Sequence, residues 1–213
     1  MKYYLFFLIA SLMFSCKTEN KSNEEIDVSI TNKNGQIDVF YNNEEFKSKE
    51  AVNLNSDGVE LAKKNEFNKA ATKFLEALNI EPNNPTILNN LGNIEKLKNN
   101  YDKSKKYFEK SLIASDSLYF NSALNLGIVN HKTKDYLKSI ELFEYVISKS
   151  PDSMQTAMAH YHLCWTYLSL NKCDKAKTEL EESKKVFKND KNFIDEFEYL
   201  ETEIKNCVQQ SVL

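Results

Sequence analysis

Arginine is absent from this 213-residue sequence, and glycine and proline are scarce, with 4 and 3 residues. Few glycines and prolines leave few tight turns, which argues against a fold of many short strands and favours helices. Without arginine, bidentate guanidinium clamps on phosphate or carboxylate groups are excluded. The formal net charge of -3 gives no overall field that attracts nucleic acid. We therefore predict an all-α protein with no nucleic-acid partner.

Sequence signatures of catalysis and of metal or cofactor binding are also missing. The 3 histidines are His131, His160 and His162, and the last two are two residues apart on a predicted helix, so they do not share a face. No HExxH motif, glycine-rich phosphate loop or GxSxG motif occurs. We expect no enzymatic activity, no catalytic residue, no cofactor and no metal site.

The N-terminus carries an apolar run, YYLFFLIASLMF at 3–14, which is followed by a serine and Cys16. Its length fits a secretory signal peptide and is short for a transmembrane helix. A signal that ends in a small residue and a cysteine resembles a bacterial lipoprotein signal, although Met13 stands where that family favours leucine. The resemblance implies that residues 1–15 are removed and that Cys16 carries lipid. It also implies a domain outside the cytoplasm, anchored to a membrane of the bacterial cell envelope, with the outer membrane as the expected one. An ordinary secretory signal is the alternative.

Two segments separate this signal from the helical part of the sequence. Residues 16–25 are polar and lack periodicity, which predicts a flexible, lipidated tether. Residues 26–50 contain two runs of alternating apolar and polar residues on either side of Asn34–Gly35, the favoured dipeptide of a hairpin turn. Because a lone hairpin is marginally stable in water, a short packed β-hairpin and a disordered segment are both open.

From residue 51 the pattern becomes helical, and it repeats. Small residues recur at intervals of 34, 35 and 37 residues, at Gly58, Gly92, Gly127 and Cys164. Four further columns keep these intervals, among them Phe74, Phe108, Phe143 and Leu180. The extra residues therefore fall between units, where turns accept insertions. Each unit is predicted to be a helical hairpin in which, for example, Gly92 faces Ser104 so that two helices approach closely, at a cost of about 1 kcal/mol in helix propensity.

These columns resemble the tetratricopeptide repeat, which has a small residue, an alanine, an aromatic residue, a second small residue and a closing proline. Pro82 and Pro151 stand at the proline position, whereas the tryptophan of the family's first helix is absent. The resemblance implies an all-α fold, a right-handed α-solenoid of four hairpins over residues 51–188. The helical pattern within residues 189–213 predicts a C-terminal capping helix and a tail.

In this family the first helices of successive units line a concave groove that takes peptides or partner segments. The register of the units places the candidate partner-binding residues there: Asn89, Asn93, Asn121, Asn125, Ile128, Tyr161 and Trp165. Asn93 with Asn125 resembles the pair that holds a ligand backbone in peptide-binding members, but the basic residues of carboxylate-clamp members are missing. The alternative is that these asparagines are surface residues of an asparagine-rich chain, and that Trp165 packs between the fourth unit and the cap.

Two of the 4 cysteines are predicted to form a disulfide. Cys16 is assigned to lipid and Cys164 lies in the small-residue column, which leaves Cys173 and Cys207. The turn between their helices falls near Asp190, 17 residues from each, so antiparallel helices of equal rise bring the two cysteines to the same height. Two free thiols that lie close together are the alternative.

The sequence as a whole predicts a non-catalytic envelope lipoprotein that acts as a protein–protein interaction adaptor or assembly scaffold through its concave groove. Its partner would be a protein or peptide of the envelope. A substrate-binding lipoprotein that captures a peptide or glycan is the alternative. A third hypothesis, based on fold and anchor alone, is an assembly factor similar to the helical-repeat lipoproteins of outer-membrane barrel or pilus biogenesis.

Overall fold

The computed structural model describes residues 31–32, 37–38 and 46–211, and side chains from 46 to 210. Within these residues the chain forms nine helices and one short strand pair. The helices are α1 (Lys49–Lys63), α2 (Phe67–Ile80), α3 (Pro85–Leu97), α4 (Tyr101–Ala114), α5 (Phe120–Lys132), α6 (Tyr136–Lys149), α7 (Ser153–Ser169), α8 (Cys173–Phe187) and α9 (Lys191–Ser211). The strands are β1 (Thr31–Asn32) and β2 (Ile37–Asp38).

The strand pair is antiparallel, with Asn32 opposite Ile37. It lies where the alternating runs predict a hairpin, on either side of Asn34–Gly35. The predicted signal peptide, Cys16 and the tether lie outside the described residues. Among the helices that the structure describes, none combines the length and the apolar character needed to span a bilayer.

Helices α1 to α8 form four antiparallel hairpins, and α9 packs against α7 and α8. The antiparallel arrangement is visible in α3 and α4, where the hydroxyl of Ser111, near the end of α4, donates to the carbonyl of Pro85 at the start of α3 (2.8 Å). N-cap side chains mark the starts of α1, α3 and α7. Asn84, for example, accepts a hydrogen bond from the amide of Ile87 through its side chain, and proline follows at the first helical position. The predicted all-α solenoid of four hairpins and a cap is confirmed.

The turn inside each hairpin has one geometry. The second residue after the first helix adopts a left-handed conformation, with φ of 61°, 60°, 63° and 54° at Asn65, Asn99, Lys134 and Asn171. In the second hairpin the amide of Asn100 bonds back to the carbonyl of Glu95 (2.8 Å), and that of Asn99 to Lys96 (3.0 Å). This pair of bonds satisfies the last carbonyls of the helix. Asparagine tolerates the left-handed region, which explains its use at three of the four turns.

Each of the first three hairpins packs an aromatic ring of its second helix directly on the glycine of its first helix. A Cβ added at Gly92 would lie 2.4 Å from Cε1 of Phe108, and one at Gly58 would lie 2.6 Å from the ring of Phe74. Ser104 also contacts Gly92, but through a hydrogen bond from its hydroxyl to the glycine carbonyl (2.8 Å). The space that the glycine opens is therefore filled by the ring, and not by closer approach to Ser104 alone.

The fourth hairpin has a different pair of residues in the same two columns. Cys164 stands in the glycine column and Leu180 in the aromatic column, 16 residues apart as in the other three units. Both side chains are buried in one hydrophobic cluster. The larger residue on the first helix is thus matched by a smaller one on the second, which conserves the packed volume. Burial raises the pKa of the Cys164 thiol to about 12, so this thiol is protonated at neutral pH.

A disulfide joins Cys173, the first residue of α8, to Cys207 near the end of α9. Their Cα atoms lie 5.7 Å apart, within the range that disulfides span. Cys164 stays a free, buried thiol. The disulfide joins the C-terminal part of the capping helix to the fourth hairpin. The capping helix packs against this hairpin on one side only, so the bond adds to a limited contact.

We predict that non-reducing peptide mass spectrometry of the protein, produced in an oxidising compartment, finds Cys173 linked to Cys207. Cys164 should react with a maleimide only after unfolding. Because the bond closes a loop with a sequence separation of 34, its loss in the Cys173→Ser, Cys207→Ser variant should lower the free energy of unfolding by roughly 3–4 kcal/mol. Native protein in which both thiols react with the maleimide would contradict this prediction, as would Cys164 in the linked peptide.

Candidate partner-binding groove

The first helices α1, α3, α5 and α7 lie side by side and form what we call the concave face. The structure places the candidate residues on it with different exposures. Five of them are buried: Asn89, Asn93, Asn121, Asn125 and Tyr161. Ile128 and Trp165 are half-buried and pack on the core cluster. Every residue of α3 from Pro85 to Lys96 is buried, so among the candidate residues those with partial exposure, Ile128 and Trp165, lie on α5 and α7.

Hydrogen-bonded asparagine side chains join successive first helices, and we call this series the amide ladder. Nδ2 of Asn90 donates to Oδ1 of Asn55 at 2.9 Å, and one unit later Nδ2 of Asn125 donates to Oδ1 of Asn89 at 3.1 Å. The two bonds use equivalent positions, three residues and two residues before the small-residue column. An amide can donate and accept at once, which makes it suitable for both positions. The amide ladder therefore holds neighbouring units in register.

Further bonds enclose the same asparagines. Nζ of Lys96 donates to Oδ1 of Asn125 at 2.9 Å, and the hydroxyl of Ser122 lies 3.1 Å from Oδ1 of Asn89. Oδ1 of Asn121 accepts from Nε2 of Gln155 at 2.9 Å. These asparagines are neither solvent-exposed groove residues nor ordinary surface residues, because their side chains are buried and bonded within the solenoid. Their direct contact with a partner stays a prediction.

The amide ladder is interrupted between the third and fourth units. Leu124 stands in the position of Asn55 and Asn89, and it offers no polar group. His162 stands in the position of Asn90 and Asn125, where its ring stacks on Phe143 (5.7 Å between centroids). Nε2 of His162 is buried and has no hydrogen-bond partner among the described residues. Nδ2 of Asn89 is a second such atom on this face.

The ladder pattern resumes between the fourth unit and the cap. The hydroxyl of Tyr161 donates to Oε2 of Glu196 at 3.1 Å, across a separation of 35 residues, the same as between Asn55 and Asn90. Its ring also packs edge-on against Phe193 at 5.4 Å. The capping helix α9 thus docks as the first helix of a further unit would.

Sequence reasoning placed Asn89 and Asn125 on the concave face but missed their partners Asn55 and Asn90. The signal was present, since asparagine recurs in one column in the first and second units and in the neighbouring column in the second and third units. A bond between different columns of successive units is invisible when each column is read by itself.

Trp165 lies at the C-terminal end of the concave face and stacks on Tyr199 of α9, with ring centroids 5.7 Å apart. Trp165 is half-buried, and Tyr199 is 52% exposed. The tryptophan therefore packs against the cap, as one of the two alternatives held, and the pair still presents aromatic surface to solvent.

Both histidines on the concave face are held neutral near pH 7. Burial, with smaller contributions from His131 in its protonated form and from the positive charge of Lys96, lowers the pKa of His162 to about 3. Burial also lowers the pKa of His131, whose Nδ1 lies 3.0 Å from Oγ1 of Thr166. In the part of the chain that the structure describes, no three potential metal ligands come together.

We predict that the free energy of unfolding falls as the pH drops from about 6.5 towards 3, partly because of His162. Its pKa is about 3 when folded and has an ordinary value of 6.5. Between these values the unfolded chain binds a proton that the folded chain does not, so stability is lost as the pH falls, by up to about 1.4 kcal/mol per pH unit.

The measurement is denaturant unfolding at several pH values. His162→Phe keeps an aromatic ring for stacking on Phe143 and should reduce the slope. Phe74→Leu is the matched control, because it removes the equivalent buried ring in the first hairpin, in a separate core cluster, and so lowers stability while the surroundings of His162 and the slope are retained. Equal slopes for wild type and His162→Phe would show that His162 does not contribute.

Two family models match the region around this face. A TPR repeat model matches residues 58–98, and a tetratricopeptide repeat model matches residues 85–112. Among curated proteins, the anaphase-promoting complex subunit CDC16 of Saccharomyces cerevisiae is 31% identical over 132 residues. That match covers 59% of this chain but only 15% of the yeast protein.

Solved structures share the architecture at low sequence identity. A structure of Pseudomonas aeruginosa pilF has a TM-score of 0.63 at 17% identity and covers 75% of this chain and 73% of its own. The structure of the APC/C hetero-tetramer Cut9–Hcn1 has a TM-score of 0.61 at 18% identity, and the match covers 74% of this chain and 30% of that one. A tetratricopeptide repeat protein from Parabacteroides merdae has a TM-score of 0.60 at 13% identity, and the match covers 76% of this chain and 62% of that protein. These likenesses show the fold alone.

Taken with the hairpin geometry, the matches show that the chain contains tetratricopeptide repeats arranged as an all-α solenoid. Proteins built from this repeat generally mediate protein–protein interaction or assembly, and the fold is typically non-catalytic.

Proposed function

We propose that this protein is a non-catalytic lipoprotein of the bacterial envelope that binds a protein or peptide partner on its concave face, as an adaptor or assembly scaffold. The observation that carries the groove part of the proposal is the interruption of the amide ladder. There Nε2 of His162 is buried without a partner among the described residues, and Nδ2 of Asn89, in the intact part of the ladder, is a second such atom.

Such atoms are costly. A buried donor or acceptor that makes no hydrogen bond costs about 1–3 kcal/mol, and unsatisfied groups of this kind are few in folded proteins. Because Nε2 of His162 is buried, a partner segment reaches it only when the side chains that cover it move aside, and a backbone carbonyl or amide placed there then removes the cost. The gain belongs to the complex and not to the free solenoid, which favours a role in binding over a role in stability.

The exposed part of the concave face indicates where the partner lies. Ile128 on α5 and Trp165 on α7 are half-buried, and they lie on the two helices between which the ladder is interrupted. An apolar side chain and an aromatic side chain flanking a polar atom are typical of a peptide site, in which apolar contacts supply affinity and a few polar groups fix orientation.

Capture of a glycan is the second candidate, and the pair Trp165 and Tyr199 favours it, since sugars pack on exposed aromatic rings. The pair is small, however, because Tyr161 is buried and bonded to Glu196. One aromatic pair supports a protein or peptide partner at least as well, since tryptophan and tyrosine are enriched in interface hot spots.

The membrane part of the proposal comes from the sequence. The apolar run at 3–14 ends in a serine and Cys16. Lipid on Cys16 would hold the solenoid at an envelope membrane, and two or more acyl chains are needed because one chain alone binds weakly and reversibly.

We predict that cells grown with a palmitate analogue incorporate the label into the wild-type protein and not into Cys16→Ala. The unlabelled variant should also leave the membrane fraction. Equal labelling of both proteins would contradict the lipid anchor and leave an ordinary secretory signal as the explanation of the N-terminus.

We predict that the wild-type protein, isolated from solubilised envelope, retains one stoichiometric protein partner and that His162→Phe weakens its capture about tenfold, the equivalent of one buried hydrogen bond. Phenylalanine keeps a ring of similar size on Phe143 and removes both ring nitrogens. Tyr145→Phe is the matched control, because it also removes one polar atom, at a hydroxyl that donates to the carbonyl of Ser117 away from the concave face.

Thermal unfolding of each variant separates binding from folding. Undiminished capture by folded His162→Phe would contradict the role of the ladder's interruption. Binding of an oligosaccharide, with no protein retained, would select the glycan-binding alternative.

A further inference from the structure

One edge of the solenoid carries most of its exposed apolar side chains. Because the helices are antiparallel, the segments between hairpins lie on the same side as the start of α1, and we call this side the inter-hairpin edge. It consists of residues 46–49, 80–85, 114–120, 149–153 and 187–191, with the helix ends that adjoin them. A cavity of about 660 Å³ confirms the grouping, since Phe46, Ile80, Pro85 and Ala114 all line it.

Ten large apolar side chains are exposed in the described part of the chain, and six of them lie on the inter-hairpin edge: Ile80, Ile113, Leu118, Met154, Val186 and Ile194. The opposite edge has two, Leu137 and Val208. Ile113 and Leu118 are the most exposed of the six, at 77% and 68%. A distribution this uneven needs an explanation, because scattered exposure would place similar numbers on both edges.

The N-terminal part of the chain joins the helices at the same edge. The amides of Lys47 and Ser48 both donate to Oε1 of Glu81, in the segment between α2 and α3, at 2.8 and 2.7 Å. These bonds fix the point at which the chain enters α1. Cys16 is 30 residues before Phe46, so an anchor at Cys16 attaches to the solenoid through its apolar edge.

The spacing of the apolar side chains fits a lipid surface better than a protein partner. Each inter-hairpin segment contributes one or two, so they form a row of separate projections along the edge. A protein interface needs matched shape and a contiguous patch, whereas side chains can enter the boundary between headgroups and acyl chains one by one. Once lipid holds the tether, this contact is intramolecular and even weak insertion is sufficient.

The net charge of the inter-hairpin edge indicates which lipid headgroups it contacts. The five segments of the edge contain five lysines and four carboxylates, so the edge is nearly neutral. A contact made by apolar side chains with balanced charge does not depend on anionic headgroups.

We propose that the inter-hairpin edge rests on the surface of the membrane that holds the lipid anchor, with Ile113, Leu118 and Met154 inserted among zwitterionic lipids. The inference rests on the proposed anchor at Cys16. This contact places the opposite edge, which carries Leu137, away from the bilayer. The concave face then stays accessible to a partner.

The test uses the full-length protein, labelled in cells with the palmitate analogue and reconstituted into vesicles of phosphatidylcholine and phosphatidylethanolamine. Leu118→Cys and Leu137→Cys form a matched pair, since both native side chains are highly exposed, at 68% and 73%, on opposite edges. Each new thiol carries an environment-sensitive fluorophore. Cys164 is buried, Cys173 and Cys207 are bonded to each other, and Cys16 is blocked by lipid in protein that carries the palmitate label, so in that protein the introduced cysteine is the one that reacts.

Nitroxide lipids should quench the fluorophore at position 118, with a blue shift of its emission, and leave that at position 137 unchanged. Equal quenching at both positions, or at neither, in protein that carries the palmitate label and floats with the vesicles overturns the inference and leaves the anchor standing. Protein that lacks the label and does not float overturns the anchor, and the edge contact falls with it.

Discussion

The contact of an aromatic ring with the backbone of a glycine is the interaction on which the remaining structure depends. Phe108 occupies the place where a side chain at Gly92 would be, and the same contact recurs in the first and third hairpins. Glycine costs about 1 kcal/mol in an α-helix, but burial of a phenylalanine ring contributes about 1.5–3 kcal/mol. The contact therefore stabilises the hairpin, although glycine has a low helix propensity.

The constant hairpin geometry sets the first helices side by side at a distance that asparagine side chains can bridge. Asn55 with Asn90, and Asn89 with Asn125, are bonded across successive units for this reason. Where the pair becomes Leu124 and His162, the bridge is lost and a buried nitrogen is left without a partner among the described residues. This interruption is the position at which the proposed partner contact is placed.

The sequence predicted those features of the fold that can be inferred from a single column of the repeat or from the length of a helix. The small and aromatic columns predicted the hairpins, and equal helix lengths on either side of Asp190 predicted that Cys173 and Cys207 come together. It did not predict the burial of Asn89 or Asn125, because a side-chain bond between different columns depends on the offset between units. The apolar edge escaped notice for a similar reason, since its members lie in separate turns that only the folded solenoid aligns.

The most direct test of the account is to transplant the fourth hairpin's pair into the second. Gly92→Cys alone should lower the free energy of unfolding on the order of 1–3 kcal/mol, because its Cβ would meet the ring of Phe108. Gly92→Cys with Phe108→Leu should be more stable than the sum of the two single changes predicts, as the pair Cys164 and Leu180 implies. Denaturant unfolding of the four proteins measures this coupling. Strictly additive effects would contradict the claim that the ring and the glycine form one unit.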